Sequence, residues 1–263
     1  MSDSKFFTTE VGHLDGLDFY TIKSDHLQGR GDVLVYRSQQ ADLESLPLVI
    51  LLHGVYGSHW VWALKAQVHK TLQKMVDEGS LRPMILALPS DGLFEDGSAY
   101  LAHKKRNFEK WIVEDVITLV AEKVEPFELG SSPVFIAGLS MGGYGALRLG
   151  AKYPKIFNAF SGHSSITKYD EMGHFIQDMG KLNEQVRFKE DVLQVILENR
   201  DSLRPFRFDC GTDDPLISGN RALHQELQDL KISHVYEEFG GGHEWEYWTE
   251  QVKKSLLFFD SAY

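Results

Sequence analysis

The stretch Pro133-Val134-Phe135-Ile136-Ala137-Gly138-Leu139-Ser140-Met141-Gly142-Gly143-Tyr144-Gly145-Ala146 joins an apolar run to a segment rich in small residues. The run is short and continuous, as in a strand buried on both faces of a sheet, and the segment after it reads as a helix from Met141 to Lys152. Between them lies Gly-x-Ser-x-Gly. That pattern alone arises by chance in about one chain in ten of this length, and a glycine-rich turn before a plain helix would read the same way. The strand before and the helix after decide against coincidence. A serine turned sharply between strand and helix holds a strained backbone, and Gly138 and Gly142 leave room for it. Gly143, Gly145 and Ala146 let the helix press on the sheet, and its N-terminal amides favour negative charge beside Ser140.

Outward from this segment the pattern repeats. Leu46 to Leu52 and Met84 to Leu88 read as strands, and Trp60 to Asp77 and Glu109 to Glu125 as helices. Phe157 to Phe160, Phe206 to Cys210 and Val235 to Phe239 are further strands, and Trp245 to Phe258 closes the chain as a helix. The first forty residues differ: alternation in Asp32-Val33-Leu34-Val35-Tyr36-Arg37 predicts antiparallel hairpins. The expected class is α/β, a mostly parallel central sheet with helices on both faces. Residues 1–263 read as one domain, with no linker, internal repeat or low-complexity tract. Residues 164–199 break the rhythm and are expected as an insertion over the active-site edge, where the carboxyl ends of the strands present ligands.

A serine hydroxyl needs a histidine to take its proton, and the histidine needs a carboxylate to fix its tautomer. On such a strand-to-helix turn the partners follow in the order Ser, Asp or Glu, His. His243 lies in Phe239-Gly240-Gly241-Gly242-His243-Glu244-Trp245, between the last strand and the last helix. His163, His174, His224 and His234 also follow Ser140, but sit in helical, polar-loop or strand sequence. For the acid, Phe206 to Cys210 leads into Gly211-Thr212-Asp213-Asp214-Pro215; Asp214 is preferred and Asp213 is the alternative. Cys210 reads as a small buried residue. Acyl transfer also needs amides aimed at the developing oxyanion. Met141 N–H is one, and Val55 N–H, in Leu52-His53-Gly54-Val55-Tyr56-Gly57, is the second.

With these segments the chain resembles the esterase D and antigen 85-like family of α/β-hydrolases, which includes feruloyl esterases and S-formylglutathione hydrolases. The resemblance rests on Leu52-His53-Gly54, Gly138 to Ala146, Cys210 to Asp214, and Gly242-His243-x-Trp245, and covers roughly Leu46 to the end. It implies an α/β-hydrolase fold, a Ser140, Asp214, His243 triad, and carboxylic ester hydrolysis without a cofactor. The chain departs from the formylglutathione hydrolases, which have Gly-Leu-Thr-Cys where it has Gly54-Val55-Tyr56-Gly57, and this disfavours that thioester. Transfer of the acyl group to an alcohol shares the first half-reaction and stays open. So does a non-catalytic binding protein on this fold, although such a module has no need of all three residues in order.

Composition narrows the partners. The formal charge is -11, so the mean surface field repels phosphate backbones and anionic lipid. Nucleic acid and membrane are not expected, a small-molecule ester is, and homo-oligomerisation stays open. Lys104-Lys105-Arg106 is the one short basic cluster, a solvated loop or a local anion contact. Met1 to Phe7 and the residues after it lack the apolar stretch of a secretory signal, and the single Cys210 fits a reducing compartment, so the expected location is the cytoplasm. Tyr56, Tyr144 and Trp245 are the candidate substrate-contacting residues, within an aromatic set that includes Trp60, Phe94, Tyr100 and Trp248. Carboxylates in the Pro89 to Ser98 loop either meet substrate hydroxyls or cap turns. No metal is expected: Asp91 and Asp96 lack calcium-loop spacing, and His243-Glu244 lacks the second histidine of His-Glu-x-x-His.

Overall fold

The computed structural model describes residues 8–39, 45–182 and 189–263. The N-terminal segment read above for a secretory signal lies in part outside them, as do residues 183–188 of the expected insertion. Three antiparallel strands come first, β1 (Thr8–Leu14), β2 (Leu17–Ser24) and β3 (Gly29–Arg37). Asp15 and Gly16 join the first two with φ of 51° and 78°. Both central residues of a type I′ turn need positive φ, and Asp-Gly meets that need.

β4 (Leu48–Leu52) and β5 (Ile85–Pro89) follow, separated by α1 (Val61–Leu64) and α2 (Val68–Asp77). One helix was expected from Trp60 to Asp77. It divides because Gln67 takes a left-handed φ of 47°, which no continuous helix accommodates. The expected helix at Glu109 to Glu125 is α3 (Phe108–Lys110), a π-helical stretch Trp111–Val116, and α4 (Ile117–Lys123). Then come β6 (Val134–Leu139), α5 (Met141–Lys152), β7 (Ala159–His163), α6 (Val192–Glu198), β8 (Phe206–Gly211), α7 (Ile217–Asp229), β9 (Val235–Phe239) and α8 (Trp245–Ser261).

The nine strands form one sheet in the order β1-β2-β3-β5-β4-β6-β7-β8-β9. β3 pairs antiparallel with β5, and every pair beyond is parallel. The chain crosses from β4 to β5 on one side and then returns to β6 on the other, so the order reverses at β4 and β6. Ligands in open parallel sheets bind beyond the carboxyl ends of the strands at such a point. Residue alternation along β4 divides the core: Leu48, Ile50 and Leu52 pack on the side of α4, α5 and α6, and Val49 and Leu51 on the side of α1, α2 and α8. Each such side chain contributes about 1.5–3 kcal/mol by leaving water.

One ionic cluster is enclosed in the first of these layers. Arg148 is fully buried; its Nη1 donates to Glu109 Oε2 at 2.7 Å and also meets Glu190. Tyr153 Oη donates to Glu109 at 2.5 Å and Lys152 lies 3.0 Å from it. Burial pushes the Glu109 carboxyl up, but Arg148, Tyr153 and Lys152 together more than offset it and hold it at about 2. A carboxylate depressed in the folded state stabilises the fold above its ordinary pKa, and the contribution disappears as pH falls through the folded value. Loss of the Glu109 contribution is therefore expected between about pH 4.5 and 2. It amounts to roughly 3 kcal/mol at the two-to-three-unit shift. Urea titrations across that window should show a shallower decline for Glu109→Gln than for the native chain, from a lower starting stability. Parallel declines would remove Glu109 from the acid response.

Candidate active site

Ser140 stands between β6 and α5 with φ 55° and ψ −118°. The surrounding glycines hold it there by close approach. A Cβ on Gly138 would lie 2.2 Å from Gly142 O, and one on Gly142 would lie 2.3 Å from Leu52 O. No side chain fits either place, which is the steric demand read from Gly-x-Ser-x-Gly. The Ser140 amide donates to His163 O at 2.9 Å, and the Ser140 carbonyl accepts from Tyr144 and Ile166 N–H, so the turn is fixed on both sides.

Ser140 Oγ lies 2.9 Å from His243 Nε2, and His243 Nδ1 lies 2.9 Å from Asp214 Oδ2. Asp214 is buried, and its Oδ1 accepts from Leu216 N–H at 2.8 Å. Asp213 is exposed and takes no part in this chain; its amide donates to Gly241 O at 3.0 Å. That bond and the one from Thr212 N–H to Phe239 O, 2.9 Å, dock the β8 loop onto the β9 loop. The docking needs bare backbone: a Cβ on Gly211 would stand 2.2 Å from Gly241 O.

His243 is held on both sides by rings. Trp248 meets it edge-on at 4.9 Å, and Phe175 stacks on it at 5.0 Å with planes 22° apart. Phe175 belongs to the 164–199 segment, and sequence reasoning did not single it out. No motif marks it, because only folding brings that segment over the histidine. The same segment reaches the loop after β4, where Tyr56 Oη donates to Phe175 O at 2.9 Å.

Val55 follows Gly54, which lies against the serine: a Cβ on Gly54 would be 3.3 Å from Ser140 Cβ. Tyr56 N–H donates to Asp96 O at 2.9 Å and Gly57 N–H to Gly54 O at 3.2 Å, so both ends of this turn are occupied. His53 holds its base. Asp91 N–H donates to His53 Nε2 at 3.2 Å, which leaves Nδ1–H to donate to Gly54 O at 2.7 Å. Among the described residues no backbone or side-chain acceptor takes the amide hydrogens of Val55 or Met141.

The three aromatic candidates separate. Tyr56 is 65% exposed beside the site. Trp245 is half-buried, edge-on to both Trp62 and Trp248, and forms part of the wall behind His243. Tyr144 is a correction. One helical turn after Ser140 it points into the core, fully buried, with its ring 5.7 Å from the Arg148 guanidinium, so it faces no substrate space. Tyr100 is buried as well, with its hydroxyl on His53 O at 3.0 Å. The carboxylates of the Pro89 to Ser98 loop cap turns and brace neighbours: Asp91 accepts from Ser98 N–H and Asp96 from Gln177 N–H, each at 2.8 Å.

A second Ser-His-Asp arrangement lies inside the molecule. His163 Nδ1 is 2.9 Å from Asp209 Oδ2, and its Nε2 is 2.9 Å from Ser255 Oγ. All three are fully buried, with Arg207 2.8 Å and the Tyr247 hydroxyl 2.9 Å from Asp209. Burial pushes the Asp209 carboxyl up, and His163, Arg207 and Tyr247 together carry it below its ordinary range. No ester reaches this network, which ties α8 to the sheet. Cys210 is buried as expected, and burial and nearby Asp214 raise its thiol far above the usual range. Among the described residues no three metal-ligating side chains converge, and no helix is long and apolar enough to cross a membrane.

A serine in strained backbone after a parallel strand, hydrogen-bonded to a histidine after the last strand that in turn meets an aspartate after the strand before, is the arrangement of the α/β-hydrolase class. The comparisons with known proteins agree. The family described as "Putative esterase" matches residues 24–259. An acetyl esterase of Caldicellulosiruptor saccharolyticus is 29% identical over 83% of this chain and 85% of its own. An iron(III) enterobactin esterase of Escherichia coli K12 is 25% identical over 89% of this chain, which spans only 55% of that protein. Among solved structures, a ferulic acid esterase superposes with a TM-score of 0.80 at 22% identity, covering 94% of this chain and 97% of the other. An S-formylglutathione hydrolase of Staphylococcus aureus gives 0.75 at 14% identity over 95% and 99%. The chain belongs to this esterase family and is a carboxylic ester hydrolase.

Proposed function

We propose that the protein hydrolyses short-chain carboxylic esters through an acyl-enzyme on Ser140, with His243 as the base and Asp214 as its orienting acid. His243 Nε2 takes the Ser140 proton as Oγ bonds to the ester carbonyl carbon. The oxygen that becomes negative is held by the Val55 and Met141 amides. His243 then gives its proton to the departing alkoxide, and the ester C–O bond breaks. Water, deprotonated by His243, attacks the acyl-enzyme and regenerates the serine. The observation that carries the reading is the unbroken hydrogen-bonded line from Ser140 through His243 to Asp214 at the strand ends. A fluorophosphonate probe should add its mass to the intact protein, and peptide mapping should place it on Ser140. Ester turnover by a protein that resists such labelling would sink the proposal.

The short acyl group rests on two observations: the Phe175 ring covers the histidine, and Ser140 is 1% exposed. The acetyl ester activity named for the Caldicellulosiruptor relative fits it. With 4-nitrophenyl esters, kcat/KM is expected to fall from acetate to octanoate. Phe175→Ala should flatten that profile by about tenfold at the long end, a ring's worth of space. A native profile rising toward octanoate would reverse the size assignment.

A further inference from the structure

A concavity lies against loops that continue from this site. It measures about 750 Å³ and is walled by Leu93, Phe94 and Glu95 on one side, Lys104, Lys105 and Arg106 on another, and Gly180 to Leu182 on a third. That volume lies within the range of small-molecule pockets. In a chain of formal charge -11, four cations and one carboxylate around a single cavity form a local positive field that draws anions in. Among the described residues no carboxylate pairs with Lys104, Lys105 or Arg106, whereas Lys181 lies 3.6 Å from Glu95. The Arg106 guanidinium sits 5.8 Å over the Phe94 ring. His103, which also lines the cavity, is held on Ser98 O at 2.8 Å, and burial lowers its pKa, so it adds no charge at neutral pH.

Two walls of the cavity belong to segments that also touch residues of the site. Glu95 is two residues from Gly97, and a Cβ on Gly97 would stand 2.5 Å from Met141 Sδ and 3.4 Å from Val55 Cγ1. Two Cα steps span at most about 7 Å. The third wall, Gly180 to Leu182, continues the segment whose Phe175 stacks on His243. Histidine delivers its proton to the leaving oxygen, and Phe175, six residues before Lys181, stacks on that histidine.

We propose that this cavity binds an anionic group on the alcohol portion of the substrate, so that the natural ester joins a small acyl group to an acidic alcohol or phenol. The inference rests on the reading of Ser140 as nucleophile. The test uses 3-(4-acetoxyphenyl)propanoate and its neutral amide, which share a leaving phenol and carry the distal group on the order of 10 Å from the ester carbonyl. The native protein should prefer the carboxylate in kcat/KM. The ratio of carboxylate to amide should fall about tenfold in Lys104→Ala/Lys105→Ala, the sum of two solvent-exposed ion pairs. It should rise about two- to threefold in Glu95→Gln, where a repelling charge is removed. In roughly 0.5 M salt the native ratio should approach that of the lysine variant. A ratio unmoved by both variants overturns the proposal, and the opposite directions expected for them exclude a shared folding defect.

Calorimetric titration of Ser140→Ala with the same two compounds separates this failure from failure of the nucleophile. Tighter binding of the carboxylate, lost when Lys104 and Lys105 are also replaced, supports the cavity even if Ser140 chemistry is refuted. Equal binding of carboxylate and amide overturns it.

Discussion

Ser140→Ala should lower kcat for 4-nitrophenyl acetate by about a millionfold while leaving the melting temperature close to native. The size follows from the chemistry: without Oγ no acyl-enzyme forms, and the remaining rate is that of water assisted by the oxyanion amides and by binding. Stability is spared because alanine keeps the Cβ, and the backbone bonds of residue 140 to His163 and Ile166 do not involve the hydroxyl. Ser255→Ala provides the contrast. Ser255 Oγ lies within hydrogen-bond reach of Ser161, His163 and Arg207 inside the core. Its loss should cost about 1–3 kcal/mol of stability through unsatisfied buried groups, with kcat retained. The two serines occupy nearly the same constellation and are both buried, but the His243 side chain is 17% exposed and that of His163 is not exposed at all, so a kinetic defect in Ser255→Ala alone would invert the assignment of the nucleophile.

That contrast marks what could be read before folding. Ser140 was legible because its constraint is local: Gly138 and Gly142 touch the same turn, and the apolar run and small-residue helix on either side are contiguous in the chain. His243 was legible for a related reason, since three glycines between a strand and a helix mark a loop free to bend. The sheet was legible too, because buried parallel strands such as β4 and β6 are continuous apolar runs, while α7 was missed: only Asn220, Leu223 and Leu227 are buried along it, a stripe too thin to stand out. Tyr144 was misplaced because adjacency in sequence to Ser140 says nothing about which way a helix turns its side chains. Phe175 had no local signal at all, and the basic cavity only an ambiguous one. Lys104-Lys105-Arg106 reads equally as a solvated loop, and becomes a cavity wall only where Leu93 to Glu95 and Gly180 to Leu182 fold against it. The internal His163, Asp209 and Ser255 network shows the same limit from the other side: residues of the right types, correctly spaced in three dimensions, whose burial denies them a substrate.

The choice between Asp213 and Asp214, open on sequence grounds, becomes a sharp kinetic expectation. Asp214→Asn should lower kcat/KM by about ten-thousandfold, the cost of a wrong histidine tautomer in a comparable triad. An amide nitrogen placed at Oδ2 donates toward His243 Nδ1, which forces the ring proton onto Nε2. That nitrogen then cannot accept from Ser140. The bond from Leu216 N–H to Oδ1 survives in the asparagine, because the remaining carbonyl oxygen still accepts, so the loop stays in place and the loss is chemical. Asp213→Asn changes an exposed side chain whose only backbone role, donation to Gly241 O, belongs to the amide that every residue type except proline carries. It should leave kcat/KM at the native level. Both variants should label with the fluorophosphonate probe, Asp214→Asn far more slowly, since the probe also requires an activated serine. If Asp213→Asn instead loses the activity and Asp214→Asn keeps it, the loop between β8 and α7 must shift by one residue in solution to present the other carboxylate, and the docking of Gly211 on Gly241 would have to break to allow it.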